Sequence, residues 1–180
     1  HGLATVAAVV SDRPDASALE RARAAGVPAV PLAKLAGEQR RDYDARLVEA
    51  VAEFAPDLVV LAGWMRLLTS TFLDRFAGRV INLHPALPGE LPGTKAIERA
   101  FDEFRAGRRT HTGVMVHVVP DEGVDDGPVV ATVGVPIQPD DTLESLAARV
   151  HAAEHRLLVD AIATVLHPSR IPQPTSSRSR

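Results

Sequence analysis

The sequence predicts an α/β domain with three layers: a mostly parallel sheet, helices on both faces, and an antiparallel strand pair near the C-terminal end. Three observations predict it. Short Val-rich runs alternate with longer segments of helical periodicity, the pattern of strand–helix–strand units. The first runs are apolar throughout, as strands buried on both faces are. Late in the chain two apolar runs follow one another across a turn-rich loop with no helix between them, which predicts an antiparallel edge.

Thr5-Val-Ala-Ala-Val-Val10 reads as a fully buried strand, and Ser-Asp-Arg-Pro turn chemistry follows it. Ser17 is placed to cap a helix over 18–25 that Gly26 closes. Val27 to Val30 is a short second strand. Residues 37–54 carry Tyr43, Leu47, Val51 and Phe54 on one helical stripe. Pro56-Asp57 breaks that helix, and Leu58 to Leu61 is another buried strand. Thr69 or Ser70 opens a short helix to Phe76, and Val80 to Leu83 is the next strand. Lys95 to Ala106 is helical. Gly113 to Val119 and Val129 to Ile137 form the antiparallel pair, and Thr142 caps a last helix reaching about Leu166.

One domain, 1–167, accounts for all of this, and 180 residues suffice for a sizeable core. The remaining stretch, 168–180, is rich in Pro, Ser and Arg and is expected to be disordered. Apolar residues make up 46% and charged residues 24%, which argues for a globular chain. A net charge of −3 argues against a nucleic-acid partner. No apolar run approaches the roughly 18 residues that span a bilayer, so no membrane role is expected, and no stretch reads as a signal peptide. Cysteine is absent, which removes disulfides, thiol nucleophiles and thiolate metal sites and fits a cytoplasmic setting. The chain opens on His1 and is inside an apolar run by Thr5, so a missing natural start is expected.

In parallel sheets ligands bind beyond the carboxyl ends of the strands. Residues 64–68, 84–93 and 120–127 all follow strands and are expected to gather at one rim. Asn82 and His84 are two apart on a strand and share a face. A carboxamide beside an imidazole can donate to an oxygen that gains negative charge. Asp125, in Val124-Asp-Asp-Gly-Pro128, can charge or orient that imidazole. The plainer alternative is that Asn82 and His84 satisfy backbone groups at a strand end and Asp125 is an ordinary turn residue. Arg66, between Met65 and Leu67, is placed to line a pocket for a flat, partly apolar ligand, or is simply a surface arginine. Arg40 reads as part of a solvated helix face, and His117 as a structural histidine. His151-Ala-Ala-Glu-His155 has the spacing of a zinc-peptidase helix but lacks a later third ligand, so no metal is expected. No Gly-rich phosphate loop of either common form is present.

Ile81-Asn-Leu-His-Pro-Ala-Leu-Pro88, Val59-Val-Leu-Ala-Gly-Trp-Met-Arg-Leu-Leu68, and Gly113-Val-Met-Val-His117 through Asp125-Asp-Gly-Pro128 together resemble the phosphoribosylglycinamide formyltransferase family of purine synthesis. The resemblance runs from about residue 5 to about 166. It implies a Rossmann-like formyltransferase fold and transfer of a formyl group from 10-formyltetrahydrofolate to the amine of glycinamide ribonucleotide. It implies Asn82, His84 and Asp125 as the catalytic trio. Arg40, Met65, Arg66, Leu67, Leu68, Asn82, Pro120 and Asp121 would hold the folate, and Pro85 and Glu154 the glycinamide ribonucleotide. It further implies that Asp125 keeps His84 protonated. The partners it implies are these two small molecules, with the protein a monomer or homodimer.

Two departures stand out. The family's first strand and Gly-Ser-Asn phosphate loop do not occur in this sequence, and Pro88-Gly-Glu-Leu-Pro-Gly93 replaces the more usual Leu-Leu-Pro. Formyltetrahydrofolate deformylase, with water as acceptor, is the nearest alternative, and a non-catalytic truncated fragment is another. Pro85 directly after His84, and Glu154, favour the transferase. Methionyl-tRNA formyltransferase would need a basic surface and a tRNA-binding domain.

Overall fold

The computed structural model describes residues 4–167. The expectations for His1 and for the stretch 168–180 lie outside the described residues. The elements run β1 (Val9–Ser11), α1 (Ser17–Ala24), β2 (Ala29–Pro31), α2 (Arg40–Ala52), β3 (Val59–Ala62), α3 (Ser70–Leu73), β4 (Val80–His84), α4 (Ala96–Arg105), β5 (His111–Val118), β6 (Val129–Pro136) and α5 (Leu143–Leu166). No helix among them is long and apolar enough to cross a membrane.

The sheet is mixed and comes in two pieces. β1 and β2 form a parallel pair, and β3-β4-β5-β6 form a four-stranded sheet. Within the larger piece β3 and β4 are parallel, while β4–β5 and β5–β6 are antiparallel. The antiparallel C-terminal pair is therefore present, and it is continuous with the strand that carries Asn82 and His84.

Alternation along the strands explains the layers. On β4, Val80 packs with Val59 and Leu61 of β3 and with Tyr43, Leu47, Phe72 and Phe76 from the α2 and α3 region. Ile81 and Leu83, pointing the other way, join Val60, Val116 and Val118 against Leu157, Ala161 and Ile162 of α5. Helices thus cover both faces, and Asn82 and His84 share the α2/α3 face with Val80 because strand side chains repeat every two residues. Nearer the start of α5, Leu146 and Val150 are fully buried against Val114 and Val135.

Thr142 caps α5 as expected: its side chain accepts from the Ser145 amide while the Ser145 hydroxyl accepts from the Thr142 amide. Ser17 does not cap α1. It is the first helical residue, and the cap position is Ala16, which makes no side-chain hydrogen bond. The early strands also differ from expectation. β1 covers 9–11 rather than 5–10, Val6 is 61% exposed, and no residue of β1 or β3 is fully buried. The reason is edge position: among the described residues β1 pairs only with β2, and β3 only with β4.

Candidate active site

Asn82 and His84 reach the carboxyl end of β4, and β5 brings a second imidazole beside them. The β4–β5 register sets Asn82 opposite His117 and His84 opposite Met115. Just there the β5–β6 register slips between Val116 and His117, a local irregularity of the kind that re-aims side chains next to binding sites. The loop between β5 and β6 then folds back. Gly127 permits this, since a Cβ at that position would lie 1.9 Å from the Val118 carbonyl oxygen. Asp125 adopts a left-handed backbone, φ +55°, a conformation aspartate tolerates better than most residues. Its carboxylate is thereby returned to the strand end.

That carboxylate is the hub. Asn82 Nδ2 donates to Asp125 Oδ1 at 3.0 Å, and the Gly93 amide donates to Oδ2 at 2.8 Å. His84 Nδ1 stands 3.3 Å from Oδ2, and His117 Nε2 stands 3.4 Å from Oδ1. His84 Nε2 donates to the Leu91 carbonyl at 3.1 Å, and His117 Nδ1 to the Val118 carbonyl at 2.9 Å. Asn82 Nδ2 also lies 3.2 Å from His117 Nε2, which accepts from it when the ring is neutral.

Electrostatics separates the two histidines. Burial alone would push the Asp125 carboxyl up, but the His117 bond, the Gly93 amide and the two imidazoles bring it below the usual carboxylate range. Burial works against a charged His117, yet its bonds to Asp125 and to the Val118 carbonyl outweigh that and raise its pKa. For His84 the balance tips the other way. Burial lowers its pKa more than Asp125 and the Leu91 carbonyl raise it, with His117 and Arg99 adding to the depression. Asp125 therefore acts toward a charged His84, as expected, while burial acts against it and leaves the net shift downward.

A second constellation lies beside the first. A cleft of about 210 Å³ is lined by Lys34, Arg40, Tyr43, Asp44 and Met65 to Leu67. Arg66 Nε donates to Asp12 Oδ2 at 2.6 Å, and its guanidinium lies over the Tyr43 ring, 5.6 Å from the centroid. The Tyr43 hydroxyl donates to the Leu32 carbonyl at 2.9 Å; burial, with Asp12 and Asp44, pushes this phenol up to about 12. Met65 and Leu67 are exposed, at 70% and 48%. Glu122 connects the cleft to the Asp125 loop: it accepts from the Ser70 amide at 3.0 Å and pairs with Arg40 at 3.4 Å. The three post-strand loops do meet at one rim.

The Formyl transferase family model matches residues 1–162. The chain belongs to the formyl transferase family. A phosphoribosylglycinamide formyltransferase from Schizosaccharomyces pombe is 43% identical over 175 residues, covering 92% of this chain and 84% of the relative. One from Mycobacterium tuberculosis is 42% identical over 163 residues, covering 90% and 73%. The crystal structure of the Bacillus halodurans phosphoribosylglycinamide formyltransferase superposes with a TM-score of 0.84 at 37% identity, covering 92% of this chain and 83% of that one.

Within this formyl transferase, Asn82, His84 and Asp125 are in direct contact. Arg40, Met65, Arg66 and Leu67 line the cleft, whereas Leu68 is buried in the core behind it. Asp121 holds its own turn by accepting from the Gly123 amide at 2.8 Å. Pro85 flanks His84. Glu154 lies on α5, where it pairs with His151 at 2.7 Å; among the described residues no hydrogen bond or ion pair joins it to Asn82, His84 or Asp125. The sequence reading missed His117 as a site residue, and Lys34, Tyr43 and Asp44 as cleft residues. The only available signal for His117 was a polar residue alternating with apolar ones on a strand antiparallel to that of Asn82.

Proposed function

We propose that this chain transfers the formyl group of 10-formyltetrahydrofolate to the amine of glycinamide ribonucleotide, a reaction of de novo purine synthesis. The observation that carries the proposal is the shared carboxylate of Asp125 with Asn82 and His84 at the end of β4, in a family member whose relatives bear this activity by name. The folate would lie across the cleft between Arg40 and the Met65–Leu68 loop. Met65 and Leu67 offer exposed apolar surface to a flat ring, Lys34 and Arg40 offer positive charge, and Pro120 and Asp121 face the pterin end. Pro85 and Glu154 would hold the glycinamide ribonucleotide.

The chemistry follows from the charges. The amine attacks the formyl carbon, forming the new C–N bond and placing negative charge on the formyl oxygen. Asn82 turns its carboxamide N–H toward that oxygen, and His84 faces it from the same strand face. A neutral His84 ring carries one N–H, yet acceptors stand at both nitrogens, the Leu91 carbonyl and Asp125. Burial resists the second proton at rest. Developing negative charge in front of the ring favours its charged form, so His84 takes up a proton from water as the oxyanion forms and returns it to water when the formyl C=O is restored. Asp125 then steadies the imidazolium. Through a water it relays the proton lost by the amine to the folate nitrogen, which leaves as the old C–N bond breaks.

The test follows tetrahydrofolate production from 10-formyltetrahydrofolate with and without glycinamide ribonucleotide. Production that depends on the amine is the expected outcome. Equal production without it would make water the acceptor and replace this reading with a hydrolase.

A further inference from the structure

The loop between β4 and α4 touches the catalytic groups twice. The Leu91 carbonyl accepts from His84 Nε2 at 3.1 Å, and two residues later the Gly93 amide donates to Asp125 Oδ2 at 2.8 Å. Any shift of this short stretch moves a partner of His84 and a partner of Asp125 together. Leu91 is also in the left-handed backbone region, φ +46°, which leucine adopts only under constraint. Such a conformation persists only where its surroundings over-determine it.

Several of those constraints are evident. The Leu91 side chain packs among Ala86, Ala96 and Ala100. Leu87 lies over the backbone of Gly113, where a Cβ would come within 2.4 Å of Leu87 Cδ2. Arg99 Nη1 donates to the Pro92 carbonyl at 2.7 Å. The remaining constraint acts on Glu90, the residue immediately before Leu91. Arg109, whose side chain is only 13% exposed, forms a short ion pair through Nη1 with Glu90. Its Nε donates to Glu103 of α4 at 2.8 Å. One guanidinium therefore joins the loop to a helix, and its rigid fork fixes both partners in a way a flexible ammonium does not.

We propose that Arg109 and Glu90 form a positioning pair for formyl transfer, holding the strained turn at Leu91 so that its carbonyl orients the His84 ring. Arg109 itself bonds none of Asn82, His84 or Asp125 among the described residues, so it acts through the loop. The inference rests on the function proposed above. It separates two roles within one cluster: the bond to Glu90 aims the catalytic ring, whereas the bond to Glu103 only fastens α4 to the start of β5.

That separation supplies the experiment. Glu90→Gln and Glu103→Gln each remove one carboxylate charge from the same arginine, so a merely structural cluster would respond equally to both. In the assay above, Glu90→Gln is expected to lower kcat about tenfold, since sub-ångström misplacement of a catalytic group is costly, with both KM values held within about twofold. Glu103→Gln is expected to leave kcat within about twofold of the parent. Arg109→Met should match the Glu90→Gln loss or exceed it, and Arg109→Lys should recover part of it.

NMR titration of the His84 ring gives a readout independent of turnover. Loss of a well-placed carbonyl acceptor disfavours the imidazolium. The His84 midpoint should therefore move to lower pH in Glu90→Gln, by about half a unit, and stay in place in Glu103→Gln. Equal kcat losses in the two glutamine variants, or a Glu90→Gln protein that melts earlier but keeps the parental kcat and His84 midpoint, would overturn the proposal. A parent protein without transferase activity would overturn the function instead, and the titration would still decide the role of the pair.

Discussion

Strand β5 buries six consecutive residues, Thr112 to His117, whereas no residue of β1, β2 or β3 is fully buried. Both regions are rich in valine: β5 carries Val114, Val116 and Val118, and β1 to β3 carry Val9, Val10, Val30, Val59 and Val60. What differs is their neighbours. β5 lies between β4 and β6 and beneath α5, while β1 and β3 each have one hydrogen-bonded neighbour among the described residues. The division matches the chemistry. The four groups around Asp125 stand on the packed side or on loops tied to it. The cleft lies where β1, β3 and α2 meet, held by polar contacts such as Tyr43 to Leu32 and Arg66 to Asp12. A rigid base aims the reacting groups, and a more exposed flank offers surface to a ligand.

The largest effects should come from the packed side and touch rate alone. His84→Ala and Asn82→Ala are each expected to reduce turnover by about 2.7–4 kcal/mol of barrier, the worth of one preorganised oxyanion donor. Steady-state kinetics with both substrates checks this, and a loss under about threefold would remove either residue from the catalytic set. Next comes stability. Leu146→Ala, at a site with no exposure, should cost about 2–5 kcal/mol. Leu61→Ala, on half-buried β3, should cost about 1–2 kcal/mol, because less surface leaves water when it folds. Equal losses in urea denaturation would end the contrast between the two regions.

The smallest effect is a pH dependence that sharpens the contrast. His117 has a raised pKa in the folded protein. The stability it contributes is thus fully present below the unfolded value of about 6.5 and is lost as pH rises through the folded value. His117→Asn should therefore melt below the parent at acid pH, and the gap should narrow on the alkaline side. Thermal melts between pH 5 and 9 would show it; a gap that widens with pH would contradict the assignment.

Much of the fold was legible because local chemistry dictated it. Thr142 announces a helix start, and Asn82 and His84 at the end of one strand and Asp125 in the loop after another mark strand ends that must converge. The rest depended on register and neighbours, which no local pattern contains. His117 enters the site only because it faces Asn82 across β4 and β5. Ser17 fails as a cap because the helix begins one residue early, at Ser17 itself. The 5–10 run looks like a buried strand by its valines, but burial belongs to what lies alongside, and Val6 has little beside it.

Asp125 is shared among a carboxamide, two imidazoles and a backbone amide drawn from three separate segments. Protons in such a group are common property. When ionisable sites interact this closely, the midpoints seen in a rate profile belong to the whole set, whereas the signal of a single ring follows that set from its own position. A rate profile across pH will therefore report the cluster, and a substitution at any one member will shift the apparent constants of the others. Losses from single variants around Asp125 should then add up to more than the loss from removing several at once.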